Sequence, residues 1–435
     1  MRKLPRILAS GAALLAFSLP PGARAAAQPR IPLSLQEAIQ RALGGNLGYK
    51  QAATQITVAA AALRQAAAAR GVSVTLQDSS QYVNPIASLS TPFGSMPFSP
   101  SNLSTTPLLA ARFIAYDGGL SAARIAQAEA RVAQAQATVN RSRQQTIDSV
   151  ATTYYQLAAA LALQQVAKRS VEVSARHLKD ARERLSAGTV ARAEVLRAQT
   201  DLADQQVAQI DADNQEAVAQ ASLDRIMGAP QTELHVATSS LDAKAPQLDL
   251  DRLIRASQAN RPDLSAAMGA VATARAAVSA AQAAHRPQVT VTASDGNVQP
   301  AIESGFHNQF TLGLNAVWTL FDGGYTSAAV AQAQAGVTSA AIAVANLEST
   351  IELQVRQAYL SVETDEARIV AARRLVTFAD ENLRVAQLRS TGGVGTPLEL
   401  QDAALHDRDA HRVLVQSQAN LQSALVDLAS AAGVL

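Results

Sequence analysis

From Leu120 to Ala187 the apolar positions recur every 3.5 residues, and 68 residues pass without a proline or a glycine. Ile147, Val150, Tyr154, Leu157, Leu161, Val171, Leu178 and Leu185 form the apolar seam. A 3.5-residue period predicts a helix that supercoils left-handedly against another long helix. At roughly 1.5 Å per residue this one runs about 100 Å, too long for the core of a small domain. Asp117, Gly118 and Gly119 form the turn that enters it, and Gly188 ends it.

The pattern then returns 205 residues later, with Asp322, Gly323 and Gly324 for the entry turn, Tyr359 for Tyr154, Gly393 for Gly188 and Glu399 for Glu194. In the second copy, Tyr325 to Thr391, Val355, Val362, Ile369, Val376 and Leu383 keep intervals of seven, and Gly336 is the single internal breaker. An internal duplication accounts for this, with a first repeat over 26–233, a linker over 234–247 and a second repeat over 248–435. Leu33 to Leu43 reads as a short amphipathic helix, Ser34 and Glu37 forming a capping box, and Leu47 to Ala69 as a second helix. Their counterparts are Leu248 to Ala259 and Pro262 to Ala284, at an offset of 214 that matches Asn46 to Asn260. After the tips come helices over Ala191 to Met227 and Pro397 to Ala432. In each half two shorter helices, end to end, equal the long one, which predicts that they stack against it.

Period-two alternation predicts strands at about 72–83, 107–117, 288–298 and 309–321. In the last, Phe310, Leu312, Leu314, Ala316, Trp318 and Leu320 alternate with mostly polar residues. The even-numbered positions are expected to face lipid. Asn84 to Thr106, rich in proline and serine, reads as a long exposed loop. Strands of about ten residues with one polar face suit a tilted transmembrane barrel, and four alone would leave open edges. Tyr82, Phe93, Phe98, Phe113, Tyr116, Phe306, Phe310, Trp318, Phe321 and Tyr325 sit in or beside the strands. They read either as an interfacial girdle or as plain β-propensity.

Composition narrows the class. Hydrophobic residues are 48% and aromatic ones only 4% of the chain, and alanine dominates, which suits closely packed helices. Residues 1–25 read as a secretory signal: Arg2, Lys3 and Arg6, an apolar stretch from Ile7 to Leu19, then Ala23-Arg24-Ala25. Its removal takes four basic and no acidic residues, turning a net charge of +2 into about −2, and no basic patch calls for nucleic acid. No run of 18 apolar residues lies outside the N-terminus, which argues against a transmembrane helix. Cysteine is absent, so thiolate chemistry and lipidation are excluded. The closest histidines, His406 and His411, are five apart, the wrong spacing for a metal pair on one helix face. No phosphate loop, dinucleotide fingerprint or nucleophile elbow occurs, so no enzyme, cofactor, catalytic residue or metal site is expected.

Taken together, the signal, the duplicated halves, the Asp-Gly-Gly turns and the helix-tip patterns Leu185-Ser-Ala-Gly-Thr-Val and Thr391-Gly-Gly-Val-Gly-Thr-Pro resemble the outer membrane efflux protein family of TolC-like channels. The resemblance implies a mainly α fold with a small β part. It implies a homotrimer whose three sets of four strands make a 12-stranded barrel in outer-membrane lipid above a helical periplasmic tunnel. It further implies a periplasmic adaptor and an inner-membrane pump as partners, in drug efflux, metal efflux or type I secretion. Many relatives carry a lipidated N-terminal cysteine; this chain has none. The adaptor is expected at the tips: Gly188, Thr189, Val190 and Glu194 in the first repeat, and Gly393, Val394, Gly395, Thr396, Pro397 and Glu399 in the second. An acidic entrance gate is expected from Asp380 and Glu381, about 20 Å before the second tip. Three copies would raise their pKa values by mutual repulsion; the plainer reading is solvated carboxylates paired with Arg384. The alternative for the whole chain, a structural coiled-coil protein without transport, accounts for the heptads and leaves the strands unexplained.

Overall fold

A computed structural model describes residues 31–82, 88–97, 103–228, 234–236, 238–242, 246, 248–298 and 307–434. The expected signal segment, Phe98, Phe306 and parts of the long loop and of the linker lie outside the described residues.

The two halves carry the same helices at the same lengths. In the first, α1 (Leu35–Gly45) and α2 (Leu47–Ala68) precede the 67-residue α3 (Leu120–Ser186), and α4 (Arg192–Met227) follows it. In the second, α5 (Leu250–Asn260), α6 (Pro262–Ala283), the 67-residue α7 (Tyr325–Thr391) and α8 (Pro397–Ala431) repeat the set. The offset before the strands is 215 residues, not 214, so Asn46 corresponds to Arg261 and not to Asn260.

Each pair of short helices stacks as the lengths required. Where α4 ends, the Asn46 side-chain amide donates to the Ile226 carbonyl at 3.0 Å. A Cβ on Gly45 would lie 2.1 Å from the Met227 carbonyl oxygen, so glycine is needed there for the two helix ends to meet. Along α3 and α4 the seam is filled by Val150, Tyr154, Leu157, Leu178, Val195 and Leu223, all buried. Along α7 and α8 it is filled by Val355, Val362, Ile369, Leu383, Leu421 and Leu428.

Four strands form one antiparallel sheet in the order β2-β5-β7-β8: β2 (Ser73–Tyr82), β5 (Leu103–Tyr116), β7 (Gln288–Val298) and β8 (His307–Val317). β5 starts four residues earlier than alternation indicates and β8 ends at Val317, short of Phe321. The expected loop between β2 and β5 also contains a small hairpin of β3 (Ser88–Thr91) and β4 (Gly94–Pro97). Alternation does not reveal it because each strand is only four residues long, with Leu89 or Met96 as its single large apolar residue. A second small sheet pairs β1 (Ile31–Pro32) with β6 (Leu234–His235) in parallel, tying the start of the first repeat to the linker.

By hydropathy averaged over a window, α6 and a stretch of α7 are long and apolar enough to cross a membrane, which the count of unbroken apolar runs misses. Alanine supplies most of that hydropathy, and both helices lie in the coiled coil, where small side chains allow close packing. The chain exposes 28077 Å², whereas a compact monomer of 45.4 kDa exposes about 16,000 Å². Much apolar surface on α4 and α7 is part of the excess, including Leu196, Val207 and Val218 at intervals of eleven, and Leu353 and Leu360.

Candidate functional site

One face of the sheet is apolar across all four strands, because the pairing register brings the apolar positions into line. Leu76 pairs with Leu109, Val74 with Ala111, and Phe113 with Val291; Ala293 pairs with Leu312, Val291 with Leu314, and Val289 with Ala316. Asp295, between Leu109 and Phe310, interrupts this face at one end. The opposite face carries Ser73, Thr75, Arg112, Thr290, Thr292, Thr311 and Asn315. Leu76 and Leu314 are 77% and 73% exposed, so nothing among the described residues covers the apolar side there. In water such a face costs about 25 cal/mol per Å² left uncovered, and in a bilayer it costs nothing.

The turn from sheet to helix is built identically twice. Asp117 Oδ1 accepts from the Gly119 N–H at 3.1 Å, and its Oδ2 accepts from the Ser121 N–H at 2.7 Å and from the Ser121 hydroxyl. Asp322 does the same with Gly324 at 3.0 Å and Thr326 at 2.8 Å. Gly118, Gly119, Gly323 and Gly324 all have positive φ, between 66° and 94°, a region that side chains with a Cβ disfavour. The carboxylate satisfies the first helical N–H groups, and in the first repeat β5 becomes α3 within three residues.

At the far end of the helices are the two tips. Gly188 (φ 75°) and Gly393 (φ 76°) take the left-handed position after α3 and α7. Thr189 and Val394 donate their N–H groups back to Arg184 and Arg389 carbonyls, each at 3.0 Å. Thr396 caps α8 in a capping box with Glu399, Pro397 follows it, and Arg389 approaches Glu399 at 3.6 Å. Across the pair, Ala191 opens α4 with no side-chain cap, and Glu194 lies in the first turn. The Arg184 guanidinium donates to the Ser390 carbonyl, joining the two tips. Val394 and Leu398 are exposed there, and so are Gly188 and Thr189.

The acidic pair near the second tip divides. Glu381 is exposed and bound to Arg384 at 2.6 Å, which holds its carboxyl below the usual range. Asp380 turns into the bundle, 3.3 Å from Arg169 of α3 and 3.2 Å from His411 of α8. Burial pushes its carboxyl up, but hydrogen bonds with Asp407 and His411 and the charges of His411 and Arg169 leave it below the usual value. Within one chain both shifts run opposite to those expected of a like-charge ring. Sequence spacing did not reveal Arg169, Asp407 and His411 as partners of Asp380, because all three lie on other helices and Arg169 is 211 residues away.

A lipid-compatible sheet mounted by rigid turns on roughly 100 Å coiled-coil helices defines a membrane-anchored helical duct. The family model described as "Outer membrane efflux protein" matches residues 38–229 and 253–434. The chain belongs to the outer membrane efflux protein family, and is thus a passive channel of the outer membrane and not an enzyme. It is 26% identical to Protein CyaE of Bordetella pertussis over 328 residues, covering 74% of this chain and 69% of that protein. To the outer membrane protein OprJ of Pseudomonas aeruginosa it is 30% identical over 177 residues, 40% of this chain and 37% of OprJ. Solved structures share the fold. CusC superposes with a TM-score of 0.78 at 18% identity over 93% of each chain. VceC of Vibrio cholerae gives 0.74 at 21% identity, over 92% of this chain and 96% of that one.

Proposed function

We propose that three copies of this chain close into a continuous duct, a 12-stranded barrel above a helical tunnel, through which an inner-membrane pump exports its substrates by way of a periplasmic adaptor. The carrying observation is an unfinished ring of contacts. Helix α3 packs on α6 and α8 of the following repeat. The duplicated counterparts, α7 on α2 and α7 on α4, form no packed interface of that kind among the described residues. A surface that repeats head to tail and stays open at both ends is completed by further copies. The sheet supports the same reading, since among the described residues β2 and β8 have neighbours on one side only. Two copies would give eight strands, whose interior side chains fill; three give twelve and leave a lumen.

The tips are the adaptor's place. They lie farthest from the sheet, and they present Val394, Leu398, Gly188 and Thr189 on a frame fixed by Arg184 and the Thr396–Glu399 box. Asp380 and Glu381 stand near this entrance, where Glu381 is the member of the pair free to face a lumen.

The natural absence of cysteine makes a clean test. Asp148 of α3 is hydrogen-bonded to Ser430 of α8 and sits near Asp427. The duplication carries those contacts to Leu353 and, on the next copy, Arg225 and Ser222. The double variant Leu353→Cys, Ser222→Cys is expected to give covalent dimers and trimers on oxidation in membranes, and nothing larger. Chains that stay monomeric, or a ladder that passes three, overturn the ring. Complexes isolated from cells are expected to contain adaptor and pump; a cross-linked trimer that recruits neither leaves the channel and removes this route of supply.

A further inference from the structure

Where α3, α7 and α8 meet, two carboxylates from different helices come together. Asp407 of α8 is 6% exposed, and its Oδ1 has no hydrogen-bond partner. Its neighbour one turn on, His411, places Nε2 3.9 Å from that oxygen and 3.2 Å from Asp380 Oδ1 of α7. One ligand atom from each of the three residues lies within 4.8 Å of the others. Asp407 and His411 share a helix face at i, i+4, and Asp380 closes the triangle from the facing helix. Beside Asp407 and His411 opens a cavity of about 550 Å³, lined also by Arg169, Asp201, Asp204 and Arg408.

A buried carboxylate oxygen without a partner is costly, and a second carboxylate in contact with it makes the charged form of Asp407 costlier still. Arg169 is ion-paired with Asp380 at 3.3 Å and reaches Asp407 only through its charge, and its own side chain is 54% exposed. The unmet demand is for positive charge between the two helices.

We propose that Asp380, Asp407 and His411 bind a divalent first-row transition-metal ion, with Zn²⁺ as the representative. Two carboxylates neutralise a divalent ion, and the imidazole nitrogen favours Zn²⁺ over Mg²⁺ or Ca²⁺, which prefer all-oxygen sites. Ligand atoms about 2.0–2.1 Å from a tetrahedral ion stand roughly 3.3 Å apart. The His411–Asp380 spacing already meets this, and the His411–Asp407 spacing needs about half an ångström of closure. The cavity supplies water for the fourth position. The bound ion pins α7 to α8 inside one chain, so the inference does not depend on subunit number.

The test uses the full chain purified in detergent, stripped with a chelator and titrated with Zn²⁺ by calorimetry. One Zn²⁺ per chain is expected, undisplaced by excess Mg²⁺, with a rise in the thermal midpoint. Asp407→Asn and His411→Gln are each expected to weaken binding about 100-fold or more, and Glu381→Gln to leave it unchanged. No Zn²⁺ uptake, or uptake that Asp407→Asn and His411→Gln do not alter, overturns the proposal. If those variants fail to fold, Co²⁺ absorption of the unaltered chain decides. An intense visible band marks the four-coordinate site, and the weak spectrum of a hydrated six-coordinate ion overturns it.

Discussion

The two repeats have nearly the same helices and quite different surroundings. In the first, Tyr154 is buried and donates its hydroxyl to the Leu33 carbonyl at 3.0 Å, with α1, the β1–β6 ladder and the 3-10 turn Thr238–Asp242 packed around it. In the second, Tyr359 is half-buried and turned to Glu363. Gly118 is pressed between the Ala283 carbonyl and Arg286, both at 2.7 Å from where a Cβ would lie, while Gly323 has nothing within 4 Å. Duplicated sequences start with equal demands for burial. The first repeat satisfies more of its demands inside the chain, partly with the second repeat, and the second leaves more of them open. That asymmetry supports the proposed ring of copies.

The junction between stacked helices gives the largest contrast. Asn46 caps α2 by accepting from the Tyr49 N–H at 3.0 Å and reaches Ile226. Its counterpart Arg261, 2% exposed, is ion-paired to Asp263 at 2.5 Å and hydrogen-bonded to Gln354 at 2.7 Å. Asp263→Asn strands a buried guanidinium and is expected to cost about 3–5 kcal/mol. Asn46→Ala loses a cap and one amide bond, about 1–2 kcal/mol. Heat dissociation of the assembled protein measures both, and equal losses would break the contrast. Burial pushes the Asp263 carboxyl up, but the hydrogen bond and charge of Arg261, with the Arg141 charge and the Leu264 N–H, hold it below its usual value. A lowered carboxylate pKa contributes stability that is whole above the unfolded value, near 3.9, and is lost as pH falls through the folded value. The Asp263→Asn deficit is therefore expected to be constant at neutral pH and to shrink below about pH 4.

The sheet brings the repeats closer together. Leu109 and Leu314 are duplicates, one on an inner strand and one on an edge strand, and both point to the apolar face. Leu109→Arg and Leu314→Arg are each expected to cost about 2–4 kcal/mol of barrel stability. Asn315→Arg, on the polar face, is expected to cost less than about 1 kcal/mol. Trimer recovery from outer membranes reads all three. If Asn315→Arg does as much harm as Leu314→Arg, the face assignment is wrong.

Sequence made much of this legible, for reasons that can be named. A 3.5-residue seam persisting over 67 residues overwhelms local noise, so both long helices come within a residue of the structure. The Asp-Gly-Gly turns were legible because few residues tolerate that backbone, and the strands because one face meets lipid. What stayed hidden depended on contacts between distant segments. The burial of Arg261, the Arg169 and His411 partners of Asp380, and the meeting of Asp407 with Asp380 all join residues whose spacing carries no period. Histidine spacing alone dismissed His411, since its companions were carboxylates and one of them came from the facing helix.

The difference between the two glycine turns is the most direct test of closure. Ala at position 118 or 323 must hold a φ near 67°, a strain of about 1–2 kcal/mol at either site. Gly118→Ala adds a clash with the Ala283 carbonyl and with Arg286, so in an isolated chain it is the worse of the two. If a neighbouring copy brings its own α2 end against Gly323, as α6 meets Gly118 here, the two substitutions become nearly equal once the chains assemble. Comparing them in detergent-dissociated chains and in membranes separates strain from packing. A gap that narrows on assembly places the neighbour at Gly323. A gap that is the same in both states leaves Gly323 open to solvent and removes α2 as the partner of α7.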